Sequence, residues 1–357
     1  MSNRISHSAI RLYSECPKKY DFHYNQRIKE NSKSGALYFG SAIDKAFEVL
    51  CKGGSKDKAK DAYTELMTYG DLNGEKINIP YEERLVYGKT DYDSDLVDPA
   101  DIEAYAFSLD EKSSVEAILD KKHNGAGHWG LSKSERLLAN YANWLSLYKK
   151  GLILLDAMVE EVMPRIKEVV ATQKKLELSN GDDSLVGYPD LIARLDDGLL
   201  YLLDLKTSAR PYDSDSVATS QQLAIYDEAL KQEGIVCDKQ GYIVLLKKLK
   251  KTTKKTCASC GFSPESSRAK SCTDESSGKR CGGEWGETSS FKGEVQWVLD
   301  TIPARSSDLI LENVDAINGA ISAGVFTRNF NSCVTGYGKC QFYDLCWKGK
   351  MTNLVKV

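Results

Sequence analysis

The sequence has no apolar run approaching the length of a membrane span. Its first twenty residues, MSNRISHSAIRLYSECPKKY, also lack the apolar core of a secretory signal. A reducing cytoplasm is the expected setting. Ten cysteines in such a compartment point to metal ligands before disulfides. Neither sign of charge is in excess. The 48 Lys and Arg against 51 Asp and Glu leave a net charge of −3, so no global field draws the chain to nucleic acid. Any such binding must come from local patches. The pattern Gly-x-x-x-x-Gly-Lys-Ser/Thr is missing, which argues against an ATP-driven motor in this chain. What remains, 41% hydrophobic and 28% charged over 357 residues, is an ordinary folded composition. It is long enough for one large domain with insertions, or for two.

The chain is organised around Leu185 to Ser208, LVGYPDLIARLDDGLLYLLDLKTS. Val186 to Arg194 has a strand's apolar bias, Leu199 to Lys206 is a second apolar run, and Asp196-Asp197-Gly198 between them is a turn signal. With those three residues as the loop and Gly198 left-handed, Leu195 faces Leu199 and Asp190 falls opposite Asp204. Lys206, two residues on, lies on the same face. Packing does not explain two carboxylates and an ammonium gathered there, because unpaired buried charge is costly. A hard divalent cation, Mg2+ or Mn2+, is the natural ligand.

Elsewhere, residues 5–27 read as a helix with aromatics on one side, capped by Ser6 or Ser8 and interrupted at Cys16-Pro17. Residues 36–50 form a second helix, with Asp44 and Glu48 on one face and Gly40 offering close backbone approach. Asp101–Leu119 is helical in pattern. KKHNGAGHWG is a loop whose His123 and His128 have no partner at ligand spacing. The stripe of Leu137, Leu138, Tyr141, Trp144, Leu145 and Tyr148 in residues 132–150 reads as core. Residues 165–178 and 241–249 read as strands, Gln221–Leu230 as a helix with Gln222 and Tyr226 on one face, VQWVLDTIP as a strand and Ser306–Ala323 as a helix.

Two cysteine groups stand out. Cys257-x2-Cys260 is a metal knuckle, and Cys272 and Cys281 follow at looser spacing. The stretch between has almost no apolar residue, so a metal rather than burial must organise it. Residues 251–290 therefore read as a zinc-ribbon-like insertion. Cys333, Cys340 and Cys346 lie within 14 residues near the end, whereas Cys51 and Cys237 have no partners and read as structural.

Pro189-Asp190, thirteen residues, then Asp204-Leu205-Lys206 resembles the signature of the PD-(D/E)XK nuclease superfamily. Gly40 and Glu48 are similar to the Gly-x-x-x-His-x-x-x-Glu pattern of its RecB-like members, with Asp44 in place of the histidine. Gln222-x-x-x-Tyr226 resembles their Gln-x-x-x-Tyr motif. Where relatives often carry a Glu before the hairpin, this chain has Gln173. Cys16 with Cys333, Cys340 and Cys346 resembles the one-plus-three ligand set of relatives with an iron–sulfur cluster, among them AddB-type helicase-nucleases and CRISPR-associated RecB-like exonucleases. Cys333-x6-Cys340 departs from the usual spacing, and four thiolates suit Zn2+ as well as [4Fe–4S].

The resemblance covers residues 5–50, 165–250 and 291–347. It implies an α/β fold with a small mixed sheet flanked by helices. The divisions are N-terminal helices at 1–50, a helical region at 51–160, a nuclease core at 161–330 holding the 251–290 insertion, and a three-cysteine cap at 331–357. It implies a cytoplasmic, phage-type, metal-dependent DNA exonuclease acting on ends or single strands, with a recombination or replication protein as a further partner. Asp44, Asp190, Asp204 and the Leu205 carbonyl would hold the metal, with Lys206, Gln222 and Tyr226 completing the catalytic set. Lys247, Lys248, Lys250, Lys251, Lys254 and Lys255 are either a solvated face or a track for DNA phosphates. A structure-specific endonuclease, or a non-catalytic DNA-end-binding protein that keeps the fold, are the alternatives.

Overall fold

The computed structural model describes residues 4–72, 75–78, 85–86, 93–108, 132–180, 183–263, 272–274, 279–281, 283–301, 304–335 and 338–357. The chain enters on strand β1 (Arg4–Ser6) and helix α1 (His7–Glu15), where the Ser6 hydroxyl accepts from the Ala9 N–H. The helix ends at Cys16, which is extended as a residue before proline must be. The expected long first helix is therefore broken into pieces. After β2 (Ile28–Glu30) comes α2 (Gly35–Cys51), which buries Phe39, Ala42, Ile43, Ala46 and Phe47 at helical spacing.

Helices α3 (Lys56–Thr68), α4 (Pro99–Ser108) and α5 (Lys133–Ala157) form the helical region. Ser132 and Glu135 close a capping box at the head of α5. Leu138 and Leu145 are core as expected, and the Trp144 indole donates to the Met67 carbonyl at 2.9 Å. The expected Asp101–Leu119 helix is seen as far as Ser108. The rest of it lies outside the described residues, as do His123 and His128.

Strands β3 (Ile166–Thr172), β4 (Leu176–Asn180), β5 (Asp183–Gly187), β6 (Leu191–Leu195) and β7 (Leu200–Ser208) follow. The one strand expected over 165–178 is thus two, separated at Gln173, whose φ of +50° no strand accommodates. The strand expected over 186–194 is likewise split at Tyr188-Pro189-Asp190, because Pro189 has no N–H to give a ladder. Helix α6 (Gln221–Gln232) crosses over to β8 (Lys239–Cys257). Then come β9 (Trp285–Asp300), α7 (Ala304–Ser322), α8 (Tyr343–Lys348) and β10 (Leu354–Lys356).

Five strands make a mixed sheet in the order β9-β8-β7-β6-β3, with β7 and β8 parallel and the other pairs antiparallel. Both faces are covered, which explains the near-continuous apolar run of β7. Tyr201, Leu203 and Leu205 pack with α2 and α5, while Leu200 and Leu202 pack with α1, α6 and α7. A second sheet, β1-β5-β4, sets β1 parallel to β5. Strand β10 pairs with β2. Strands β8 and β9 run on together past the sheet as a two-stranded arm ending at Cys257 and Trp285.

Candidate active site

The turn chemistry sets the site. The Leu195 N–H donates to the Leu199 carbonyl at 3.1 Å and the Gly198 N–H to the Leu195 carbonyl at 3.0 Å. Gly198 has φ +81°, a conformation it adopts without a Cβ clash. The resulting register puts Leu191 opposite Leu203, and one step further puts Asp190 opposite Asp204. Lys206 follows on the same face.

Asp190 is held at both oxygens. The Gln173 amide donates to Oδ1 at 2.7 Å and the Leu205 N–H to Oδ2 at 2.7 Å, while the Thr172 hydroxyl donates to the Asp190 carbonyl at 2.9 Å. Asp204 is only 2% exposed. Its Oδ2 faces the Lys206 ammonium as an ion pair, and its Oδ1 accepts from Gln222 at 2.9 Å. Gln222 Nε2 also donates to the Tyr226 hydroxyl at 3.2 Å, and its Oε1 accepts from Lys206 at 3.3 Å. The i, i+4 spacing on α6 thus delivers one continuous chain from Tyr226 through Gln222 to Asp204 and Lys206.

Asp44 reaches the site from α2. Burial raises its carboxyl to about 7, with the Asp204 charge next in effect. Burial likewise raises Asp190 to about 8, followed by the charges of Asp204 and Asp44. Asp204 is raised by burial too, against the pull of Lys206. Burial opposes the Lys206 ammonium, but the Asp204 and Asp190 carboxylates outweigh it and keep the proton on. The charges of Asp44, Asp190, Asp204 and Lys206 act on one another across the site. The buried Oδ2 of Asp204 meets only the Lys206 ammonium, which leaves it a further lone pair for a metal. An all-oxygen carboxylate set fits a hard divalent ion.

Compared with known families, residues 4–346 match the PD-(D/E)XK nuclease superfamily. The chain belongs to the PD-(D/E)XK nuclease superfamily. A comparison with curated proteins finds no match.

Not every expected residue joins this PD-(D/E)XK site. Glu48 is held instead by Lys45 and Lys52. Gly40 makes no demanding approach, since a Cβ there would meet only Thr207 Oγ1, at an ordinary 3.8 Å. Gln173, standing where relatives often carry a Glu, touches the site through Asp190. Among the arm lysines, Lys250 pairs with Glu294 at 3.0 Å and Lys251 with Asp95 at 2.8 Å. His7 was not anticipated. The pairing of β1 with β5 brings it near Lys206, and burial first, then Arg11 and Lys206, lower its imidazole to about 4, so it is neutral. No local signal in the sequence marks that pairing.

At the arm's tip, the sulfurs of Cys257, Cys260, Cys272 and Cys281 all lie within 4.8 Å of one another. Single-ion tetrathiolate sites, with metal–sulfur bonds of about 2.3 Å, need such convergence. Gly283 is forced, because a Cβ would sit 2.7 Å from the Cys257 sulfur. Cys16, Cys333, Cys340 and Cys346 do not close into such a group among the described residues, although Cys16 and Cys333 lie near enough to Cys340 to act on its thiol. The Asn329 N–H donates to the Cys16 sulfur at 3.4 Å, the Cys340 N–H to the Cys333 carbonyl at 2.8 Å, and Arg328 Nε to the Cys346 sulfur at 3.2 Å. Phe22, Ile28, Phe342 and Leu354 form a small core against which Cys340 and Cys346 pack. Among the described residues no helix is long and apolar enough to cross a membrane.

Proposed function

We propose that the protein is a RecB-like exonuclease that hydrolyses phosphodiester bonds at DNA ends, with Mg2+ or Mn2+ held by Asp44, Asp190, Asp204 and the Leu205 carbonyl. The observation that carries this is the contact chain of Asp204 with Lys206, Gln222 and Tyr226, set opposite a doubly anchored Asp190. When bound, the ion supplies a water of lowered pKa and offsets charge growing on the phosphate. Lys206 keeps its proton between two carboxylates, so it orients the attacking water or a phosphate oxygen by donating rather than by abstracting a proton. Gln222 fixes the lysine and Asp204 relative to each other, and Tyr226 fixes Gln222. Gln173, an amide where relatives often have an acid, sets the Asp190 rotamer.

The remaining parts serve this reaction. Lys247, Lys248 and Lys254 face DNA phosphates along the arm, and Lys255 lies on the same strand. Lys250 and Lys251 brace the arm through their ion pairs and must exchange them to reach a phosphate. Zn2+ organises the tip through Cys257, Cys260, Cys272 and Cys281. A [4Fe–4S] cluster suits Cys16, Cys333, Cys340 and Cys346, because a cluster of eight atoms holds its thiolates farther apart than one ion does. A phage-encoded, cytoplasmic role in recombination or DNA processing, beside a recombination or replication protein, fits these parts.

The test is digestion of linear and circular DNA with each metal. Linear DNA should be degraded to nucleotides with Mg2+ or Mn2+ while circles survive. Asp204→Asn and Lys206→Ala should abolish cutting and keep DNA binding. Cut circles would establish an endonuclease instead. Tight end binding with no nucleotide release in either metal would sink the enzyme reading and leave an end-binding protein.

A further inference from the structure

Tyr188 is 50% exposed, yet it lies two residues before Asp190 on a backbone held from both sides. On one side Gly187 sits so close to the Tyr226 ring that any Cβ would overlap it. The Tyr188 backbone amide also lies close enough to the Tyr226 hydroxyl to favour its ionised form, against burial. On the other side Pro189 confines Tyr188 to extended conformations, and Asp190 beyond is pinned by Gln173 and Leu205. The phenol ring therefore leaves a rigid segment at the rim of the acid cluster. Among the described residues no other ring packs against it. Leu37, 65% exposed, stands two turns before Asp44 on the same face of α2. An aromatic ring kept in water on a fixed support forgoes the burial that normally recommends it.

We propose that Tyr188 is the stacking platform for the nucleobase next to the scissile phosphate, and so selects single-stranded or frayed DNA over closed duplex. This rests on the nuclease reading, which places a phosphate at Asp190 and Asp204. A base attached to the neighbouring sugar then lies within a side chain's length of position 188. Inside a duplex both faces of each base are already covered by neighbours, so a ring fixed in place can stack only on a terminal or unpaired base. Stacking of this kind is tolerant of sequence, because every base has a π-face.

The experiment compares wild type, Tyr188→Phe and Tyr188→Ala on single-stranded oligonucleotides with either a normal base or an abasic site next to the cleaved bond. Tyr188→Ala should raise KM about tenfold on the normal strand, with kcat within about twofold, while Tyr188→Phe matches wild type. On the abasic strand wild type and Tyr188→Ala should coincide. The same strands are also bound, without cutting, by Asp204→Asn protein with and without Tyr188→Ala, and read by fluorescence anisotropy. A base-dependent loss in that assay supports the platform even if wild type never cuts DNA, which would sink only the nuclease reading. A Tyr188→Ala loss of equal size on normal and abasic strands, or no loss on either, overturns the platform while leaving the nuclease reading intact.

Discussion

Metal binding at the acid cluster should be steeply pH-dependent, because the ion must displace protons that the fold holds there. With Asp44 near 7 and Asp190 near 8, the metal-free cluster carries almost two protons at pH 6. The proton competition at pH 6 costs affinity a factor of about 11 from Asp44 and about 100 from Asp190, against about 1.1 and about 2 at pH 8. The apparent affinity for Mn2+ should therefore rise about 500-fold between those pH values, with about 1.4 protons released per ion at pH 7. Calorimetric titration in two buffers of different ionisation enthalpy counts those protons directly. Asp44→Asn should cut the release at pH 7 below about 0.9, since Asp190 alone remains and loses the Asp44 charge that helps raise it. Stability follows the same linkage. Both carboxyls are raised above 3.8, so the stability they contribute to metal-free protein is whole below about pH 4 and is lost as the pH passes through 7 and 8. The Tm gain on adding Mn2+ should widen from pH 6 to pH 8. Release of fewer than about 0.5 protons at pH 7, or equal release from wild type and Asp44→Asn, would refute the reasoning.

Gln173→Ala should weaken Mn2+ binding about tenfold while the fold is kept, since it removes a charged hydrogen bond that sets Asp190; unchanged affinity would show that bond to be idle. Gly187→Ala should cost about 1–3 kcal/mol in urea unfolding, because its methyl overlaps the buried Tyr226 ring. Replacing residues 252–288 by a short Gly/Ser linker should leave a folded core that has lost one zinc equivalent and has a flatter salt dependence of DNA binding; an unchanged salt slope would point to a protein partner for the arm. Cys16→Ala and Cys346→Ala should each lose the visible iron–thiolate absorbance and lower Tm sharply, and retention of full metal by Cys16→Ala would remove that residue from the ligand set.

The features legible in the sequence were those decided locally. Asp-Asp-Gly fixes a three-residue loop, and a period of two then carries Asp190 opposite Asp204 with no further information. Helical spacing alone joins Gln222 to Tyr226, and Cys257-x2-Cys260 announces its own geometry. What escaped depends on distant partners or on backbone conformation. His7 reaches the site only because Ser6 pairs beside Val186, across most of the first half of the chain. Gln173 owes its reach to a left-handed backbone that no residue preference signals for glutamine. Glu48 fits its motif, yet two nearby lysines claim it. The basic run gave no hint that Asp95 and Glu294 would meet two of its members.

The arm also has a length. Strand β8 borders Asp204 through Tyr242 and continues to the cysteine tip, its ladder to β9 irregular only between Leu246 and Lys250. From Tyr242, beside Asp204, to Cys257 the strand advances about 50 Å at about 3.3 Å per residue. Duplex DNA covers that distance in about fifteen base pairs. On the proposed reading the tip and the cutting centre grip a substrate at two points a fixed interval apart. A strand trimmed below that interval loses its second grip, so digestion should stall on short remnants whose size distribution records the reach of the arm.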